Sequence, residues 1–196
     1  MSWAPATAVA DPVAPNPSPA AVQNSLQPTG SLFGNEPSYD EWIADVVPVA
    51  DEAKAYLEQR LPSTDNPAVV FDIDNTTLET HYNFGLFRVP AIDPMLEVAQ
   101  LAEERGAAIF FVTGRPGFLQ PITRPNLISE GYTVDGLYQT GLLDVFNLQK
   151  YKTAARADIE SEGYTIVANI GNNASDLAGG HAERTFKLPD YDGALS

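Results

Sequence analysis

The 196-residue chain has no cysteine, which excludes disulfides, thiolate metal sites and cysteine nucleophiles. Basic residues are scarce. Eleven Lys and Arg stand against 26 Asp and Glu, a formal charge of -15, so there is no electrostatic attraction to nucleic acid or anionic lipid. No run of about 18 apolar residues occurs, so no segment reads as a membrane span. Only two histidines are present, His81 and His181, and neither has a partner at ligand spacing. His81 reads as a residue of the loop beside Tyr82 and Phe84, and His181 as loop packing. What is present is 44% hydrophobic residues, enough for one core that buries roughly 70% of the unfolded surface without staples.

Residues 1–37 carry seven of the sixteen prolines and only two charges, Asp11 and Glu36, and read as an extended arm. Ala8-Val9-Ala10 matches the A-x-A pattern of an export cleavage site, so the arm also reads as a signal remnant and the protein as secreted or extracytoplasmic. The arm has Leu26, Leu32 and Phe33 with which to lie on the body. From Ser38 a helical pattern runs through Trp42, Ile43, Val46, Val47, Ala50, Ala53, Tyr56 and Leu57, with Pro48 expected to kink or split it. Residues 38–196 form a single domain in this reading, a helical extension over 38–62 and a catalytic core over 67–190.

From Pro67 onward the texture alternates between strand and helix. "AVVFDI", "AAIFFVT", "YTIVANI" and shorter runs near "DGLYQT" and "RTFKL" predict strands. Helices are expected over "DPMLEVAQLAEERG", with Asp93 as cap and Gly106 as stop, and from about Lys150 to Glu162, with a loop or helix from Pro116 to about Gly131. Near-continuous apolar strands separated by helices imply an α/β fold, a parallel sheet covered on both faces. Ligands of such sheets sit beyond the carboxyl ends of the strands. At those ends this chain places Asp72 and Asp74, then Thr113, Gly114 and Arg115, then Gly171, Asn172 and Asp176.

At a period of two, Asp72 and Asp74 project to one side, so two acids share a site. Like charges that close raise a pKa or recruit a cation, and Mg²⁺, which prefers oxygen ligands, suits the place. One carboxylate can then attack phosphorus while the other gives its proton to the leaving oxygen and later activates water.

"DIDNT" resembles the D-x-D-x-T signature of the haloacid dehalogenase superfamily of aspartate-nucleophile phosphatases. "FFVTGR", "YKTAAR" and "NIGNNASDL" resemble its second, third and fourth motifs, in order. More narrowly, "FDIDNTTLET", "FFVTGRP", "YKTAARADIE" and "NIGNNASDLAGGHAERTFKLPDYDG" resemble the secreted acid phosphatases of subfamily IIIB, a group that includes plant vegetative storage proteins. The resemblance covers about residues 38–196. It implies a Rossmann-like three-layer sandwich with a minimal cap or none, and a small-molecule phosphomonoester as substrate.

Carried over residue by residue, the resemblance makes Asp72 the nucleophile and a Mg²⁺ ligand. Asp74 becomes the general acid and base, with its carbonyl on the metal. Thr76 supports the loop, Thr113 and Gly114 bind the phosphoryl oxygens, and Arg115 is a substrate contact. Lys152, favoured over Lys150 by spacing, neutralises charge between Asp72 and the phosphoryl group. The fourth motif departs from the family pattern, with Asn172 where an acid usually ligates the metal. The amide oxygen still ligates a hard cation but removes one negative charge, which lowers the expected Mg²⁺ affinity. Asp176 is left to bind the ion, hold a metal-bound water or orient Lys152. With short inserts, the entrance is expected to be shaped by "ETHYNFGLF". The alternative reading is a storage or binding protein on the same fold.

Overall fold

The computed structural model describes residues 36–83, 85, 88–141 and 144–195. The expectations for the export motif, the arm contacts of Leu26, Leu32 and Phe33, and the entrance residue Phe84 lie outside them. No helix among the described residues is long and apolar enough to cross a membrane.

Five strands form one parallel sheet in the order β3-β2-β1-β4-β5: β1 Pro67–Phe71, β2 Ala108–Pro116, β3 Gly136–Thr140, β4 Thr165–Gly171 and β5 Arg184–Lys187. The alternation within β1 divides the core. Val69 and Phe71 face one layer, with Trp42, Val46, Met95, Val98 and Leu127, while Ala68 and Val70 face Ala155 and Ile159 on the other. Each large apolar side chain so buried contributes about 1.5–3 kcal/mol. A bulge interrupts β4, because Ala68 pairs with Ile166 and Val69 with Ala168, leaving Val167 as an extra residue. Val167 and Ala168 consequently both join the first layer, and the alternation beyond them is reset.

The first layer begins with α1, Tyr39–Arg60, opened by a capping box between Ser38 and Glu41. Of the kink or split expected at Pro48, the split does not occur, and α1 is one helix of 22 residues. Pro48 lies on the exposed face, where the carbonyl it leaves free meets water, while the buried stripe Trp42, Val46, Ala50, Ala53 and Leu57 holds both halves against the sheet. The helix α2, Asp93–Glu104, packs beside α1. Its cap position is Ile92, and Asp93 is the first helical residue, an acid favoured there by the helix dipole. Gly106, at φ +84°, ends it as expected. The stretch after β2 folds as a short 3₁₀ turn and then α3, Gln120–Ser129.

The second layer is built on α4, Leu148–Ser161, two residues earlier than expected because Asn147 caps it through the N–H of Lys150 at 3.1 Å. A four-residue α5, Ala174–Leu177, follows β4.

Candidate active site

The last rung of β1 carries the first acid to the sheet edge, where the Asp72 N–H donates to the Ile170 carbonyl at 2.9 Å. The chain then turns tightly. The carbonyl of Ile73 accepts from the N–H groups of Thr76, Thr77 and Leu78, and Asn75 sits at φ +53°. The hydroxyl of Thr77 donates to the Asp72 carbonyl at 3.1 Å. The backbone that presents both acids is therefore fixed from within.

Lys152, on the first half of α4, donates from Nζ to Asp72 Oδ1 and to Asp176 Oδ1, each at 2.6 Å. All three side chains are at most 6% exposed. Burial pushes the Asp72 carboxyl up to about 7; Lys152 opposes that push, while Asp176 and Asp74 add to it. Burial works against the charge on Lys152, but Asp72 and Asp176 outweigh it and hold the ammonium above its ordinary value. Asp72 Oδ2 has no hydrogen-bond partner among the described residues.

Asp176 is fixed at both of its ends. Its Oδ2 accepts from the Asn173 N–H at 2.8 Å, completing a capping box on α5. Its backbone carbonyl accepts from Arg156 Nη1 at 2.6 Å and from Asn169 Nδ2 at 2.9 Å. Arg156 further donates to the carbonyls of Ala178 and Gly180. It is fully buried, with no carboxylate contact among the described residues, and burial lowers its pKa from the usual guanidinium value. Gly171 is obligatory here, because a Cβ would meet the Asp176 side chain at 2.5 Å.

Asp74 takes different partners. Arg115 forks onto it, Nε at 3.0 Å from Oδ2 and Nη2 at 2.7 Å from Oδ1, and Thr80 donates to Oδ1 at 2.8 Å. The Asp74 side chain is 38% exposed and that of Arg115 16%. Arg115, expected as a substrate contact, thus faces the second acid, with Nη1 left without a partner among the described residues. Thr113 is buried, and its hydroxyl oxygen accepts from the Arg115 N–H at 3.1 Å, which leaves the O–H free to donate.

Asn172 is fully buried beside the first acid's loop. Thr76 Oγ1 donates to its Oδ1 at 3.3 Å, and its Nδ2 donates to the Leu195 carbonyl at 2.8 Å. His81 bonds through its N–H to Asn75 Oδ1 at 2.7 Å and packs edge-on against Tyr82, while His181 pairs with Glu160 on the surface. Tyr82 stacks on Trp42 of α1 at 5.0 Å and donates to the Pro37 carbonyl at 2.7 Å, which ties the loop after the acids to the first helix. A surface concavity of about 550 Å³, bounded by Glu36, Glu41, Asp45 and Tyr191, contains none of these site residues.

Sequence reasoning passed over Arg156, Asn169, Asn75 and Leu195, and the hydroxyls of Thr77 and Thr80. Arg156 lies four positions after Lys152 on one helix face, and Asn169 is a lone amide in the apolar run "TIVANI", so both left a local signal. Leu195 left none.

With this arrangement in view, similarity to known proteins is informative. The family model of the HAD superfamily, subfamily IIIB (Acid phosphatase), matches residues 87–194, just over half of the chain. The chain belongs to this family. Among the relatives of this chain, the Stem 28 kDa and Stem 31 kDa glycoproteins of Glycine max are each 40% identical over 106 residues, 52% of this chain. The match spans only 42% and 36% of those two proteins. Acid phosphatase 1 of Solanum lycopersicum is 29% identical over 165 residues, 72% of this chain and 65% of that protein. Among solved structures, the Class C acid phosphatase from Bacillus anthracis has a TM-score of 0.63 at 19% identity, over 80% of this chain and 83% of that one, which shows a common fold. The same Class C protein, solved with tungstate bound, gives a TM-score of 0.61 at 17% identity. The stretch matched to subfamily IIIB begins at residue 87, so Asp72 and Asp74 precede it.

Proposed function

We propose that this subfamily IIIB protein is a Mg²⁺-dependent acid phosphatase that hydrolyses small phosphomonoesters through an aspartyl-phosphate on Asp72. The observation that carries the reading is the Asp72 carboxylate, held through Oδ1 by Lys152 while Oδ2 has no partner among the described residues. In the first step Oδ2 forms a bond to phosphorus as the ester oxygen departs with a proton from Asp74. In the second, Asp74 takes a proton from water, the water oxygen bonds to phosphorus, and Asp72 leaves as carboxylate with inorganic phosphate released.

Several features support these roles. The Lys152 ammonium offsets negative charge between the nucleophile and the phosphoryl group. Thr113 has a free O–H to donate to a phosphoryl oxygen. An added Cβ at Gly114 would only touch a Leu148 methyl at 3.4 Å, so packing alone does not demand glycine, in keeping with a place kept open for a phosphoryl oxygen. Arg115 has Nη1 in hand for substrate while its other nitrogens hold Asp74.

The donor set suits a hard cation. Asp72 Oδ2 is unengaged, and Asn172 Oδ1 accepts only the longer bonds of 3.3 and 3.2 Å from Thr76 and Asn173. Among the described residues no three acids or histidines converge as a metal cluster, so a bound ion would rest on Asp72, the Asp74 carbonyl, Asn172 and water. Asp176 is engaged with Lys152 and Asn173, which favours the orienting role for it. When bound, Mg²⁺ would supply charge neutralisation for the phosphoryl oxygens.

Turnover of an aryl phosphate, measured with Mg²⁺ and with EDTA on wild type and Asp72→Asn, tests the reading. Activity that needs both the metal and Asp72, with label from radioactive substrate retained on acid-quenched wild type, is expected. Absence of turnover in wild type would leave the storage or binding role.

A further inference from the structure

The segment after β5 returns to the sheet edge in an unusual conformation. Leu188 extends the last pairing, its N–H donating to the Gly171 carbonyl at 2.9 Å. The chain then takes three consecutive residues with positive φ, Tyr191 at +49°, Asp192 at +55° and Gly193 at +91°. Left-handed backbone is costly for tyrosine and aspartate, so surrounding contacts must hold it. Those contacts are present: the Tyr191 hydroxyl donates to Asp45 Oδ2 at 2.6 Å, Lys187 pairs with Asp190 at 2.9 Å, and the N–H groups of Gly193 and Leu195 both donate to the Asp190 carbonyl at 3.1 Å.

This turn aims one group at the candidate site. Leu195 is fully buried, and its carbonyl accepts from Asn75 Nδ2 at 2.9 Å and from Asn172 Nδ2 at 2.8 Å. Both lone pairs of one oxygen are thereby occupied by amides from two different loops. Asn75 follows Asp74 directly, and through Oδ1 it also holds the N–H of His81. Asn172 presents its other end to Thr76. The two loops meant to face a cation are pinned to each other through Leu195.

We propose that residues 190–195 act as a latch that positions these loops, and that position 172 carries an amide because only an amide donates to Leu195 while presenting an oxygen to the site. Aspartate at 172 would set a carboxylate oxygen against the Leu195 carbonyl, replacing attraction by repulsion. Asn75, Leu195 and Asn172 are positioning residues in this scheme. The metal-related part of the proposal rests on the function proposed above; the latch itself does not.

The test uses the full chain with Asn75→Ala, Asn172→Asp and the double variant. In EDTA, each single variant is expected to lower the melting temperature by about 3–10 °C. Amide exchange at Gly193, Ala194 and Leu195 should accelerate about tenfold or more. The double variant should lose less than the sum, because both changes act on one oxygen. Titration with Mg²⁺ alone should show Asn75→Ala binding roughly 3–10-fold more weakly, although Asn75 offers the ion no ligand.

Unchanged melting and exchange in Asn172→Asp would overturn the latch. An opened segment with unaltered Mg²⁺ affinity in Asn75→Ala would overturn the positioning role and leave a structural strap. If wild type binds no Mg²⁺, the proposed function fails and positioning with it, while exchange still decides the latch. Should Asn172→Asp not fold, Gly193→Ala, which strains the turn at its +91° residue, supplies the exchange measurement.

Discussion

Asp72 and Asp74 are separated by one residue, and each meets a cation, yet the protein surrounds them differently. Asp72 and Lys152 are almost completely buried, and Lys152 is shared with an Asp176 that is itself fixed at carboxylate and carbonyl. Asp74 and Arg115 lie nearer to solvent, joined by a two-point fork. The arrangement matches what the proposed chemistry asks of each acid. An attacking oxygen gains from being held at a fixed distance, whereas a proton carrier must change charge and partner within each cycle.

Several substitutions would break or sharpen this contrast. The largest effect is expected for Asp72→Asn, where an amide cannot attack phosphorus: aryl phosphate turnover should fall on the order of 10⁴-fold or more, with the circular dichroism spectrum unchanged. Residual turnover within tenfold of wild type would refute the covalent route. Asp74→Asn should lose about 10²–10⁴-fold on alkyl phosphates and much less on aryl phosphates whose leaving groups need no proton. An equal loss on both would assign Asp74 a purely structural place.

A smaller effect follows from the buried support of the first acid. Arg156→Ala removes a donor from each of three carbonyls, leaves that of Gly180 with none among the described residues and loosens Asp176, so the melting temperature should fall by about 5–10 °C and kcat about tenfold, with KM little changed. A variant that loses stability but retains kcat at 20 °C would separate Arg156 from the site.

The smallest expected effect concerns pH and the metal-free protein. Because Asp72 titrates near 7 in the fold and near 3.8 when unfolded, the folded chain holds an extra proton between those values. Stability from this group is complete below about pH 4 and is lost as pH rises through 7. Melting curves in EDTA should therefore show Asp72→Asn gaining on wild type as pH is raised from 4 to 8. The reverse trend would mean that the pair with Lys152 outweighs burial.

Much of this architecture is legible in the sequence because burial on both faces leaves strands such as "AAIFFVT" nearly free of polar residues, and each apolar run ends abruptly in the residues that face the edge. Pro48 misleads because helix propensity is a local quantity, while the stripe from Trp42 to Leu57 is held by the sheet. Asp93 misleads by one residue because caps are fixed by backbone angles that composition does not specify. Lys152 is visible through its motif. Arg156 shares its helix face, four positions on, but its task of holding the Asp176 carbonyl shows only in the fold. The bond from Asn75 to Leu195 joins residues 120 apart and follows no period at all.

The bulge in β4 has an evolutionary corollary. Val167 is the odd residue, and the bulge that absorbs it lets every later residue keep the face of its β1 partner: Asn169 faces Asp176, Ile170 faces the α1 layer, and Asn172 reaches the edge turned toward Thr76. Losing the Val167 codon would leave Ile166 opposite Ala68 and Ala168 opposite Val69, a regular alternation in which no later position changes face. This point of the strand should therefore tolerate the loss of its odd residue, whereas a change of length after Ala168 would turn Asn169 and Asn172 away from the groups they hold.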